Sequence, residues 1–438
     1  MRLVRGFHQA REVLLRKRRS PLSLGPLPPS VRQRIEAAFG KRLTAPQAVA
    51  RILDEVRTGG DEALLSLSRR LDEVETASLE VSRQEIALAY EDIDRGLLEA
   101  LRMAADRVRS YHQTCLRRPS LNLTQEGLGQ LVRPLERVGV YAPGGTASYP
   151  STVLMTAIPA QVAGVPEVML CTPARSPATL VAADLAGVKR VFRVGGAQAI
   201  AALAFGTATI PRVDKICGPG NIFVQLAKKA VYGMVGIDGL QGPTETAIIA
   251  DASARPALCA ADLLAQAEHD PLASAILITT SASLAREVKA EVERQLEGLE
   301  RQEIARESLR RRGLIALVQS MEEALELANE YAPEHLCLLV SDPWSYVGQV
   351  RHAGGLFLGE GSPEALGDYM AGPSHVMPTG GTARFSSALG VEDFLKFTSL
   401  VALNTKASRD LAGPAARIAR AEGLTAHAKA LERRLSNH

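Results

Sequence analysis

Arg137-Val138-Gly139-Val140-Tyr141-Ala142-Pro143-Gly144-Gly145-Thr146 sets a short β-branched run directly before a proline- and glycine-rich turn. A helical pattern follows around Met155 to Ala163. The same order of signals returns at Glu167 to Cys171 and at Arg190 to Val194, the latter leading through Gly195-Gly196-Ala197-Gln198 into a helical pattern from Ala197 to Phe205. Short apolar strands alternating with helices form βαβ units around a parallel sheet. A third turn, Gly218-Pro219-Gly220-Asn221, also runs into a helical pattern. Ligands of open α/β sheets bind at such strand ends, where helix N-termini point backbone N–H groups at anions. None of the three turns has the G-x-G-x-x-G spacing of the usual dinucleotide fingerprint, but three in one lobe favour a nucleotide or phosphate.

A second α/β set follows, with strands predicted at Thr246 to Asp251, Ala275 to Thr280, Leu314 to Val318 and Leu336 to Val340. The fold class expected is therefore α/β: two Rossmann-like, incompletely doubly wound lobes with helical N- and C-terminal appendages. Residues 1–30 read as a basic amphipathic arm ending in Pro26-Leu27-Pro28-Pro29-Ser30. Residues 31–136 read as helical support, 137–244 as one α/β lobe, 245–390 as the other and 391–438 as a helical tail. Within the support, Val49, Ile52, Leu53 and Val56 make one stripe that Gly59-Gly60 is expected to stop. Ser82 with Glu85 is a capping box expected to open a longer helix through Tyr90 toward Tyr111.

A chain of 438 residues with 46% apolar content can bury a large core. Its 51 basic and 48 acidic residues nearly cancel, so no global field favours nucleic acid or an acidic membrane surface. Cys115, Cys171, Cys217, Cys259 and Cys337 are odd in number and widely spaced, which argues against a disulfide framework and for a reducing cytoplasm. No apolar run is long enough to span a bilayer.

Polar groups gather at a few places. Helical spacing puts Gln266 and His269 on one face, near a helix end marked by Pro271, where an amide oxygen and an imidazole could hold a metal. Glu334 and His335 open a strand, and a carboxylate beside an imidazole can act as an acid/base pair. Gly354 to Gly359, Leu366 to His375 and Thr379 to Ser386 read as ordered loops, and Asp368 among them is the natural carboxylate ligand. His427 belongs to a solvent-type helix, where a histidine is ordinarily just exposed.

Taken together, Val138-Gly-Val-Tyr141-Ala-Pro-Gly-Gly-Thr146, Val194-Gly-Gly-Ala-Gln198-Ala-Ile200, Gly218-Pro-Gly-Asn221, Gln266-Ala-Glu-His269, Pro333-Glu334-His335-Leu336, Gly367-Asp368-Tyr369 and Glu422-Gly-Leu-Thr-Ala-His427 closely resemble the histidinol dehydrogenase family over nearly the whole chain. The resemblance implies a zinc enzyme that converts L-histidinol to L-histidine, using two NAD per turnover. It implies one zinc per subunit on Gln266, His269, Asp368 and His427, and NAD contacts at Tyr141, Gln198 and Asn221. Substrate contacts fall on Thr244, Gln266, His269, His335, Asp368, Glu422 and His427, with Glu334 and His335 as the catalytic pair. The NAD side is then residues 137–244, and the zinc and acid/base residues lie in 245–390. One departure stands out: Gly242-Pro243-Thr244-Glu245 has threonine where the family often has serine, which keeps the hydroxyl and adds a methyl.

A dehydrogenase of another small polar alcohol is the alternative within enzymes. A nucleotide- or nucleic-acid-binding regulator is the rival from a different class. Two appendages too small to bury their own apolar stripes suggest exchange between protomers, and the resemblance implies a homodimer in which the tail supplies His427 to the partner's site.

Overall fold

The computed structural model describes residues 1–17, 27, 29–72, 78–116, 121–124, 127–144, 148–173 and 176–436. Gly145 and Thr146 of the first glycine-rich turn, and Arg18, Arg19, Pro26 and Pro28 of the basic N-terminal stretch, lie outside the described residues. The chain divides into two units: Met1–Leu116 with Glu136–Phe394, and Arg117–Leu135 with Leu395–His438.

The first unit holds two parallel sheets. In the five-stranded one the spatial order is Arg190–Phe192, Glu167–Cys171, Arg137–Tyr141, Lys215–Cys217, Gly236–Ile237. In the six-stranded one it is Arg2–Arg5, Leu314–Leu317, Ser274–Thr279, Glu245–Ala250, His335–Leu339, Gly355–Leu358. Setting Arg2–Arg5 aside, both sheets run third, second, first, fourth, fifth in chain order. This is the doubly wound order lacking its last strand, and it has a switch point between the first and fourth strands. The central strands are continuous apolar runs because both faces are covered: every residue of Glu245–Ala250 and Ser274–Thr279 is buried.

One consequence positions the site. The five-stranded sheet ends at Ile237, a carboxyl end, and the chain reaches Glu245, an amino end of the six-stranded sheet, through residues 238–244 alone. That short crossover ties the carboxyl edge of one sheet to the amino edge of the other.

Several elements differ from the sequence reading. The N-terminal residues begin as an edge strand, with Val4 buried, and the helix Phe7–Lys17 buries Ala10, Val13 and Leu14 in the same core. Gly59-Gly60 interrupts its helix as expected: within Ala45–Asp72 the backbone turns non-helical at Gly60 (φ 53°), and a second helical run follows at once, burying Leu64 and Leu67. The capping box at Ser82 and Glu85 is formed, but its helix ends at Asp92. Asp94 then caps a separate helix, Arg95–Cys115, by accepting from Leu97 N–H. Gly355–Leu358 is an edge strand and Glu364–Tyr369 a short helix where loops were expected.

In the second unit Leu395–Val401, Leu128–Pro134 and Leu121–Leu123 form an antiparallel sheet, strands that the sequence reading had not placed there. Helices Thr405–Ala421 and Thr425–Ser436 pack through Ala416, Ala419 and Ala428. Among the described residues, no helix is long and apolar enough to cross a membrane.

Candidate active site

Helix Pro256–Ala267 starts on a proline at its first turn and buries Leu263, Leu264 and Gln266. It ends two residues before His269, which therefore lies in the following turn, within reach of solvent. The buried Gln266 amide donates to Thr244 Oγ1 at 2.6 Å. Thr244 in turn donates to Glu334 Oε2 at 2.6 Å, and the Glu245 backbone N–H donates to the same oxygen at 3.0 Å. His335 Nδ1 lies 3.2 Å from the Glu245 carbonyl, and its Nε2 lies 3.4 Å from Asp368 Oδ1.

Thr244, Glu245, Glu334 and His335 sit at the amino ends of two neighbouring strands, where Glu245–Ala250 and His335–Leu339 pair in parallel. A carbonyl only accepts, so the hydrogen on His335 is placed at Nδ1, and Nε2 is the nitrogen left for chemistry. Nε2 is buried and makes no hydrogen bond.

The electrostatics follow from burial and crowding. Burial alone would lower the His335 pKa, but Glu334, Asp368 and Glu364 outweigh it and raise it to about 10. Burial raises the Glu334 pKa, against the opposing pull of His335 and the Thr244 hydrogen bond. At Asp368 burial is overcome by the His335 ring beside it, and by His375 and His269, so its pKa falls below the usual carboxylate value. The protein around His269 lowers its pKa, with Asp368 pulling the other way.

Two further buried carboxylates border this cluster. Glu245, pushed up to about 7 by burial and by Glu334, accepts from Tyr331 Oη at 3.2 Å and from Gly380 N–H at 3.1 Å. Glu364, likewise about 7 through burial, keeps Oε2 buried without a partner. His375 bonds the Asp368 carbonyl at 2.8 Å through Nδ1 and Thr152 Oγ1 at 3.1 Å through Nε2. The sequence reading assigned no role to Glu245, Glu364 or His375. Glu245 had a signal in its place beside Thr244, whereas Glu364 is brought in only by the fold.

Gln266, His269 and Asp368 offer an amide oxygen, an imidazole nitrogen and a carboxylate, a donor set that suits zinc. Among the described residues no group of three or more His, Cys, Asp or Glu side chains forms a ready metal cage. The first unit contributes two such residues and an amide. Glu422 and His427 stand in the second unit, both exposed, Glu422 as a helix C-cap and His427 in the first turn of Thr425–Ser436.

The expected NAD residues lie at the carboxyl edge of the five-stranded sheet. Tyr141 is buried at a strand end, and its hydroxyl accepts from Gly196 N–H at 3.1 Å. Gln198, buried in the first turn of Gly196–Phe205, donates to Asp72 Oδ2 at 2.8 Å. Asn221 caps Ile222–Val231, its Oδ1 accepting from Phe223 and Val224 N–H. Two helix N-termini thus open on the edge where the sheet order reverses.

The histidinol dehydrogenase family model matches residues 39–435. The chain belongs to the histidinol dehydrogenase family. The histidinol dehydrogenase of Deinococcus radiodurans is 54% identical over 421 residues, covering 94% of this chain and 95% of that one. The one from Thermus thermophilus is 53% identical, covering 92% and 98%. The crystal structure of histidinol dehydrogenase from Elizabethkingia anophelis superposes with a TM-score of 0.87 at 34% identity, covering 99% of this chain and 98% of that one. As a member of the histidinol dehydrogenase family, the chain is an NAD-linked oxidoreductase of histidine biosynthesis.

Proposed function

We propose that the site oxidises L-histidinol through histidinal to L-histidine, with Gln266, His269, Asp368 and His427 holding one zinc per subunit. The supporting observation is the unbroken run of polar contacts from Gln266 through Thr244 to Glu334, and from His335 to Asp368. It joins two ligand positions of different character, Gln266 and Asp368, to one acid/base pair. When bound, zinc orients the imidazole and amine of the substrate and polarises its hydroxyl, while NAD accepts the hydrides.

The protein's own groups handle the protons. His335 is held at Nδ1 by the Glu245 carbonyl, so Nε2 is the base for the alcohol; the neighbouring carboxylates hold the ring protonated near neutral pH, and it accepts the alcohol proton once that first proton has left. Hydration of the aldehyde needs a second base, and Glu334, whose proton affinity is raised by burial, takes a proton from water. Thr244 spends its only hydrogen on Glu334, so a substrate group meets its oxygen as a donor. The Glu422 carboxylate suits the cationic amino group of an amino alcohol.

The second unit supports a homodimer with exchanged tails. Among its described residues it buries a small alanine-rich cluster and exposes Val401, Leu411, Ile418 and Leu424. In this reading Glu422 and His427 complete the partner's site. The five free cysteines accord with a reducing cytoplasm. Zinc dependence tests the metal reading. Chelation to a demonstrably metal-free protein should abolish turnover of histidinol and added zinc should restore it; turnover at the untreated rate without metal would overturn the assignment.

A further inference from the structure

Lys228 is completely buried, and so is the Asp238 carboxylate with which it is paired. Burying two charges is costly, and well-packed apolar residues often hold a core equally well, so stability alone gives little reason for the pair. Its contacts point to position instead. Lys228 Nζ donates to Asp238, to the Gly218 carbonyl at 3.0 Å and to Gln241 Oε1 at 3.1 Å, which uses all three of its hydrogens. The other Asp238 oxygen accepts from Gly218 N–H at 2.7 Å. Both polar groups of Gly218 are therefore gripped by one ion pair.

Gly218 has φ +120°, and a Cβ there would collide with the Tyr141 carbonyl, so the loop backbone is pressed against the strand that carries Tyr141. A second grip lies two residues on. Gln225 Nε2 donates to the Gly220 carbonyl at 3.3 Å, and Gln225 Oε1 accepts from Gln241 N–H at 2.9 Å. Asp238 and Gln241 belong to the crossover 238–244. At its far end, Gly242 N–H donates to Thr379 Oγ1 at 2.6 Å and Thr244 donates to Glu334. One short segment is thus fastened at its start to the Gly218–Asn221 loop and at its end to the acid/base pair.

We propose that Lys228 and Asp238, with Gln225 and Gln241, are positioning residues that fix the Gly218–Asn221 loop for the dinucleotide and set its spacing from Glu334. This rests on the reading of that loop as part of the NAD site. An uncharged, near-isosteric pair, Lys228→Met with Asp238→Asn, removes the grip on the Gly218 carbonyl without leaving a lone buried charge. Gln225→Met releases Gly220 and leaves the ion pair intact.

The measurement is NADH affinity by fluorescence titration without substrate, beside the thermal transition and the KM for histidinol. In the double variant NADH should bind about ten- to a hundred-fold more weakly, the loss expected for charge-assisted hydrogen bonds to the loop. In Gln225→Met it should bind about three- to ten-fold more weakly. The histidinol KM should stay within about three-fold, a split that general loosening of the fold would not produce. If the double variant does not fold, Gln225→Met decides.

Asn221→Ala separates the two ideas. If it weakens NADH binding while folded clamp variants bind NADH within two-fold of the parent, the positioning role is wrong and the loop reading stands. If Asn221→Ala leaves affinity unchanged, the loop reading fails and the positioning role fails with it.

Discussion

The Thr244 hydroxyl donates to Glu334 across 2.6 Å and receives the Gln266 amide across another 2.6 Å, so one oxygen joins a proposed zinc ligand to a proposed base. Threonine at this position preserves both bonds. Thr244→Val keeps the shape and deletes the hydroxyl, leaving a buried amide and a buried carboxylate each short of a partner. At about 1–3 kcal/mol for such a loss, kcat/KM for histidinol should fall by roughly 10- to 100-fold. Thr244→Ser should stay within about three-fold. Steady-state kinetics on zinc-loaded protein checks both, and an unaffected Thr244→Val would remove the hydroxyl from the account.

Glu334 and His335 differ in their settings, and their losses should differ too. His335→Asn should impair oxidation of the alcohol, and Glu334→Gln should impair hydration and hence the aldehyde step, each by roughly 10²- to 10⁴-fold. Supplying histidinal isolates the second step. Equal losses on histidinol and histidinal for Glu334→Gln would contradict the division of labour.

Parts of both parallel sheets were legible in the sequence, because buried strands such as Ser274–Thr279 read as apolar runs between turn signals, whereas the short strands Lys215–Cys217, Gly236–Ile237 and Gly355–Leu358 were not. Arg2–Arg5 was not: four residues with one buried side chain carry no period, and the basic helix after it resembled a surface arm. Leu395–Val401 has no buried residue, so its pairing with Leu128–Pro134 left no hydrophobic trace. Gly59-Gly60 carried a true stop signal: the helical backbone breaks at Gly60, and burial of Leu64 and Leu67 accounts for the second helical run that follows it. At the site, Glu334 and His335 were adjacent in sequence and therefore visible. Glu364 meets His335 only through folding, and the Lys228–Asp238 pair has no sequence signature beyond two charges in an apolar stretch.

The exchanged tail is tested by complementation. His427→Ala and His269→Ala proteins should each be inactive, and mixing them under conditions that allow subunit exchange should restore activity. With exchanged tails, a heterodimer carries one site with both lesions and one with neither. If each tail served its own chain, every site would keep one lesion and the mixture would stay inactive.

Product stoichiometry distinguishes a two-step oxidation from a single one. Zinc-loaded protein is incubated with limiting L-histidinol and excess NAD, reduced cofactor is followed by absorbance, and histidine is quantified in the same sample. Two hydride losses separated by one hydration predict about two reduced cofactors per histidine formed, with no histidinal accumulating. One reduced cofactor per substrate consumed, with aldehyde released and no histidine, would contradict it.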